Sequence, residues 1–134
     1  MIITLSYQEI LTLIKNNVDL PAQIKKIYLD NKTLHLAAKI NKLLPVIDIG
    51  IRFSEFDNEI IKLSLTDSKV LKYILKFIYS FLNNHKYSNF ITLKNGNLIQ
   101  IKVNDIPQIK KHGIKISDIH QKTNQLEIAI QINA

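Results

Sequence analysis

Cysteine is missing from all 134 residues, which excludes a disulfide framework and every thiolate metal site and agrees with a reducing compartment. Glycine occurs three times, too rarely for a phosphate-cradling loop, and Gly96 and Gly113 read as turn residues. Arg52 is the only arginine, so sequence-specific nucleic-acid readout, which relies on the bidentate guanidinium fork, has little to work with. No apolar run reaches the roughly 20 residues of a membrane span, because Lys72, Lys76 and Ser80 interrupt the longest candidate. The opening Met1-Ile-Ile-Thr-Leu has no basic flank, and Gln8 and Glu9 cut short any signal-peptide core. A cytoplasmic protein, neither exported nor membrane-spanning, is the expectation.

Lysine, asparagine and isoleucine dominate what is present, and lysine supplies most of a net charge of +7. Codon bias toward A·T accounts for such a composition as a solvated lysine surface. The functional alternative is attraction to an anionic membrane, nucleic acid or an acidic partner.

The chain contains an ungapped internal repeat. Residues 24–41 and 116–133 share Ile24/Ile116, Ile27/Ile119, Leu34/Leu126, Ala37/Ala129, Ile40/Ile132 and Asn41/Asn133. Each copy runs from a short apolar strand through a polar turn, Asp30-Asn31-Lys32-Thr33 or Lys122-Thr123-Asn124-Gln125, into a strand with alternate apolar residues. That pattern predicts β-hairpins with one buried face. The same period of two recurs at Ile47, Ile49, Ile51 and Phe53 and at Ile61, Leu63 and Leu65, which predicts an antiparallel sheet with one wet face. Gly50 in mid-strand suggests a bend or bulge, and Asn95-Gly96 is the sharpest hairpin signal in the chain.

Two helices are expected. Ser6-Tyr7-Gln8-Glu9 is a capping box with Leu5 and Ile10 at the staple positions, and it opens a helix at residues 7–17. Between Lys69 and Leu82 apolar residues occupy most of a helical circumference, leaving Lys69, Lys72 and Lys76 in a narrow polar stripe. A helix this apolar must be covered on more than one side, so the expected fold is α+β, one strongly curved antiparallel sheet wrapping a long apolar helix in a single domain, residues 1–134.

This layout resembles a tubular lipid-binding (TULIP-like) module, the architecture of bactericidal/permeability-increasing protein and of small bacterial relatives. The opening Ile3-Thr4-Leu5-Ser6-Tyr7-Gln8-Glu9-Ile10 looks like the strand-then-helix start of the bacterial members. The repeated Ile-x-x-Ile, polar turn, Leu-x-Ile/Leu-Ala is similar to the hairpins flanking their helix. What the resemblance implies is binding of a lipid-like ligand, or a scaffold retaining only a protein partner. Small exported members carry a signal peptide, often with a lipidated cysteine, and this chain has neither, so an envelope location does not carry over.

No catalytic residue, metal site or cofactor is expected. His35 and His112 lack companions for a triad, and no nucleophile elbow, Walker loop, Rossmann glycine pattern or His-Glu-x-x-His motif occurs. His35 falls on the polar phase of its strand and reads as solvated. Asp118 and His120 can approach each other, but a metal needs further ligands that nothing specifies. The leading functional expectation is a non-enzymatic binder of a lipid or other hydrophobic molecule. Its apolar groove would be formed by Ile49, Ile51 and Phe53 facing Ile74, Phe77, Ile78 and Phe81, with Lys69, Lys72 and Lys76 meeting a head group or an acidic partner. The alternative is a protein-interaction or self-assembly scaffold, homodimeric if the lysine-free strand 126–132 lies at a sheet edge.

Overall fold

The computed structural model describes residues 1–17, 22–39, 42–43, 45–66, 89–94 and 97–132. In chain order these form β1 (Ile2–Ser6), α1 (Tyr7–Asn17), β2 (Ile24–Asp30), β3 (Thr33–Ala38), β4 (Ile47–Asp57), β5 (Ile60–Thr66), β6 (Ile91–Lys94) and β7 (Leu98–Lys102). A 3-10 turn (Val103–Asp105), α2 (Pro107–Lys111), β8 (Ile114–Lys122) and β9 (Gln125–Ile132) complete them. The expected long helix at residues 69–82, and with it Lys69, Lys72, Ile74, Lys76, Phe77, Ile78 and Phe81, lies outside the described residues, as does Asn95-Gly96.

The strands make two antiparallel sheets, ordered β1-β9-β8 and β2-β3-β4-β5-β7-β6. This corrects the expectation of one strongly curved sheet around a long helix. The second hairpin does not extend or close the larger sheet. It takes β1 as its third strand, pairing Ile3 with Ile128 and Leu5 with Leu126, so both edges of β9 are occupied. Neither sheet closes on itself among the described residues. The helices there are short, eleven residues in α1 and five in α2. Strand 126–132, considered above as a candidate edge, is the centre of its sheet, and among the described residues the edges of that sheet are β1 and β8.

The repeat is reproduced at the level of the backbone. Both copies carry a bulge at the same place, Lys25 between the paired residues Ile24 and Lys26, and Ser117 between Ile116 and Asp118. Ile27 pairs with Leu36 as Ile119 pairs with Ile128. The equivalence extends to a third strand that the sequence alignment does not reach, because Leu36 pairs onward with Ile49 and Ile128 with Ile3. Units β2-β3-β4 and β8-β9-β1 are thus matching three-stranded modules joined in permuted chain order.

The bulge expected at Gly50 is absent, since Gly50 pairs regularly with His35 and Thr66. The irregularity falls between Phe53 and Glu55, where the extra Ser54 brings Phe56 onto the inner phase opposite Ile61. The following turn has Asn58 and Glu59 both at positive φ, 58 having 52° and 59 having 65°, as a two-residue type I′ hairpin turn requires.

The packed core lies on the inner face of the six-stranded sheet at one end of its strands. Ala38, Ile47, Ile49 and Leu65 are buried, with Leu36, Leu93 and Ile99 against them. Further along the same face the strands present Leu34, Ile51, Phe53 and Leu63, which belong to the site described next.

Candidate functional site: an apolar cavity between the two sheets

The site begins with the way β1 turns into α1. The Ser6 hydroxyl accepts from the Glu9 backbone N–H at 3.0 Å, and the Ser6 N–H donates to Glu9 Oε1, also at 3.0 Å. The Ser6 backbone N–H, and then its hydroxyl, hold the Glu9 carboxyl below its ordinary value. This reciprocal cap is the one read from the sequence, and the helix it starts has the expected bounds. A second tie comes from the tip of the β8–β9 hairpin, where the Tyr7 N–H donates to the Asn124 carbonyl at 3.3 Å and Gln121 Nε2 donates to the Tyr7 hydroxyl at 2.6 Å.

Thus fixed, α1 turns Ile10, Leu11 and Ile14 toward the space between the sheets. They line a cavity of about 440 Å³, partly open to solvent. The six-stranded sheet contributes Leu29, Leu34, Ile51, Phe53, Ile61, Leu63 and Ile101, and the smaller sheet Leu5, Ile116, Ile119, Leu126 and Ile128. Equivalent positions of the two modules stand in this wall: Leu34 with Leu126, and Ile51 with Leu5. Apart from Tyr7, Asn17 and Lys32, every described lining residue is Leu, Ile or Phe.

Of the groove residues named from the sequence, Ile51 and Phe53 are in this wall, while Ile49 is in the solid core and only 2% exposed. The remaining ones lie outside the described residues. Sequence reading missed the contribution of α1 and of the second module. The signal was present in the staple pair Leu5 and Ile10, which reads as local capping and serves as lining.

Two contacts join the sheets beside the cavity. The Asn104 side chain, in the 3-10 turn after β7, donates from Nδ2 to the Ile116 carbonyl at 3.0 Å and accepts from the Ile116 N–H at 2.8 Å. It thereby takes the place of a neighbouring strand along the outer edge of β8. Lys115 Nζ reaches Glu59 at 2.8 Å, pairing β8 with the strained β4–β5 turn.

The wet face of the larger sheet holds a polar cluster. Tyr28 and His35 face each other across β2 and β3, with their rings stacked at 4.9 Å between centroids. Asp48 sits diagonally from His35 beside the bare Gly50. Its carboxylate meets His35 Nδ1 at 2.6 Å and accepts the Tyr28 hydroxyl proton. Lys26 Nζ stands 5.0 Å from the Tyr28 ring centroid. His35 is therefore paired, where the sequence read it as solvated. The hairpin register predicts the Tyr28 and His35 pair, but Asp48 lies beyond a connection whose register no local signal sets. On the smaller sheet His120 Nε2 does approach Asp118, at 3.0 Å. Among the described residues no group of three or more His, Asp or Glu is placed to hold a metal, and no helix is long and apolar enough to cross a membrane.

The fold and site define a two-sheet antiparallel α+β protein with an apolar, partly open cavity. Comparison with protein-family models, curated proteins and solved structures gives no match to the chain.

Proposed function

We propose that this protein is a non-enzymatic binder of an apolar molecule, a lipid or another hydrophobic ligand, held in the cavity between α1 and the two sheets. The observation that carries this reading is the size of the cavity combined with its lining. Fully closed and empty, a void of 440 Å³ would cost about 10 kcal/mol at about 24 cal/mol per Å³, an upper bound for this partly open one. That is comparable with the whole stability of a domain, about 5–15 kcal/mol. Water in such a space finds almost no hydrogen-bond partners, and apolar cavities of this kind stay dry or take up apolar guests. The cavity volume also falls within the range of small-molecule sites, about 300–1,000 Å³. The polar cluster at Asp48 is on the opposite strand phase, outside this space.

Native mass spectrometry of protein purified without detergent, followed by solvent extraction, tests the reading. The expected result is a bound hydrophobic molecule that can be removed and replaced by the neutral dye Nile red, with Leu63→Trp weakening dye binding at least tenfold while leaving the melting temperature in place. Protein that carries nothing and takes up no dye would overturn it.

A further inference from the structure

Among the described residues of the apolar lining, one side chain is ionic. Lys32 occupies the two-residue tip of the β2–β3 hairpin, is half-buried, and reaches the cavity wall. The other polar groups of the wall are neutral and engaged: the Tyr7 hydroxyl accepts from Gln121, and the Asn17 amide donates to the Leu13 carbonyl at 2.9 Å. Among the described residues, no acidic side chain lines the cavity and Lys32 forms no ion pair. The matching tip of the second hairpin carries Asn124 at this position, and its carbonyl is occupied by the Tyr7 N–H. One tip therefore anchors α1, while the other lays a lysine against the apolar wall, its stem along the lining and its charge free to meet a head group at the opening.

We infer that the ligand of this cavity is a single-chain amphiphile with an anionic head group, its hydrocarbon chain among Leu34, Phe53 and Leu63 and its head paired with Lys32. The inference rests on the binding function proposed above and adds the chemical class of the guest. Lys32 is half-buried, and a charge partly shielded from water gains more from an anion than a fully solvated one, because screening is weaker there. The net charge of +7 favours the approach of anions over cations. The cavity sets the size. At roughly the 30 Å³ that one water takes up in the liquid, its volume corresponds to about fifteen heavy atoms, which matches one medium-length chain.

Calorimetric titration of the intact, delipidated protein with dodecanoate, dodecanol and dodecyltrimethylammonium, each below its micelle concentration, tests this. Dodecanoate is expected to bind at least tenfold more tightly than dodecanol, and dodecyltrimethylammonium most weakly. Lys32→Met keeps the aliphatic stem and removes the charge, and is expected to abolish the preference while leaving dodecanol affinity unchanged. Lys25→Met removes a lysine from the β2 bulge outside the cavity and is expected to retain the preference. Equal affinity for dodecanoate and dodecanol, or a preference surviving in Lys32→Met, overturns the head-group assignment and leaves the cavity reading standing. Failure of all three amphiphiles and of Nile red to bind overturns both.

Discussion

The hairpins β2–β3 and β8–β9 share sequence, register and bulge position, yet they are used differently. The first lies at one side of a six-stranded sheet, with its third strand β4 continuing into β5, and its inner face divides between solid core and cavity wall. The second belongs to a three-stranded sheet whose third strand is β1, and β1 leads directly into α1. The same pattern of alternate apolar residues thus yields a packed interior in one module and a thin, partly exposed one in the other. What differs is what lies next to the hairpin, and the pattern within the hairpin does not encode that. Each module supplies equivalent residues to one cavity, so the repeat builds a two-sided container from a single supersecondary unit.

The sharpest way to break this comparison is to truncate equivalent residues. Ile49 and Ile3 hold the same position in the two modules, opposite Leu36 and Ile128, but Ile49 is 2% exposed and Ile3 38%. Ile49→Ala is expected to cost about 2–5 kcal/mol through lost burial and a residual void. Ile3→Ala, which removes a methyl-bearing chain from a surface already half wet, is expected to cost less than about 1.5 kcal/mol. Urea unfolding of the two variants measures both, and equal losses would mean that the modules are packed alike.

Asn104 is the next largest effect and concerns the second module alone. Its amide satisfies both backbone groups of Ile116 just before the Ser117 bulge. Asn104→Ala leaves a part-buried N–H and carbonyl without their partner, at an expected cost of about 1–3 kcal/mol. Hydrogen exchange should quicken at Ile116 well before it does at Ile27 or Leu36. Uniform acceleration across both sheets would show that Asn104 supports the whole molecule and not the outer edge of β8.

These contrasts also explain what could be read from the sequence. The strands β2 to β9, their inward phase, both hairpin turns and the α1 cap are products of local patterning, and the residues announced them, whereas β1 is anticipated only through the family resemblance. Sheet membership is not local. Nothing in Gln125 to Ile132 says that its second neighbour will be Ile2–Ser6 instead of a strand of the larger sheet, because edge hydrogen bonds accept any antiparallel partner of the right length. The expectation of one curled sheet failed at that point. The cavity was half legible for the same reason: Ile51 and Phe53 carry the inward phase, but whether an inward residue meets core or space depends on the opposite wall. Ile49 and Ile51 have identical local signals and different fates.

The smallest effect separates the modules on their wet faces. Where the first has Tyr28, His35 and Asp48, the second has His120, Glu127 and Ile2, and Ile2 is 68% exposed. The polar cluster is thus an addition to the hairpin and not a requirement of it. Burial raises the Asp48 carboxyl, but hydrogen bonds from Tyr28 and His35 and the histidine's charge outweigh that, leaving it below its ordinary value. A depressed carboxylate binds fewer protons in the folded chain than in the unfolded one. Its stabilisation is therefore present above the unfolded value, near about 3.9, and is lost as pH falls through the folded value. Tyr28 has the opposite sense: the bond to Asp48, then burial and the charges of Asp48 and Asp30, raise its hydroxyl. That contribution is present below about 10 and fades as pH rises through the folded value. Asp48→Asn keeps an acceptor for Tyr28 and removes the charge, so at neutral pH it is expected to cost less than about 1 kcal/mol, the range of exposed ion pairs. The variant's stability should fall less steeply than the native protein's below about pH 4, and its loss above about pH 10 should be smaller, because the Asp48 charge no longer raises Tyr28. Chemical denaturation across the pH range reads both limbs. Parallel curves for the two proteins would mean that the cluster is coupled to neither limb of stability.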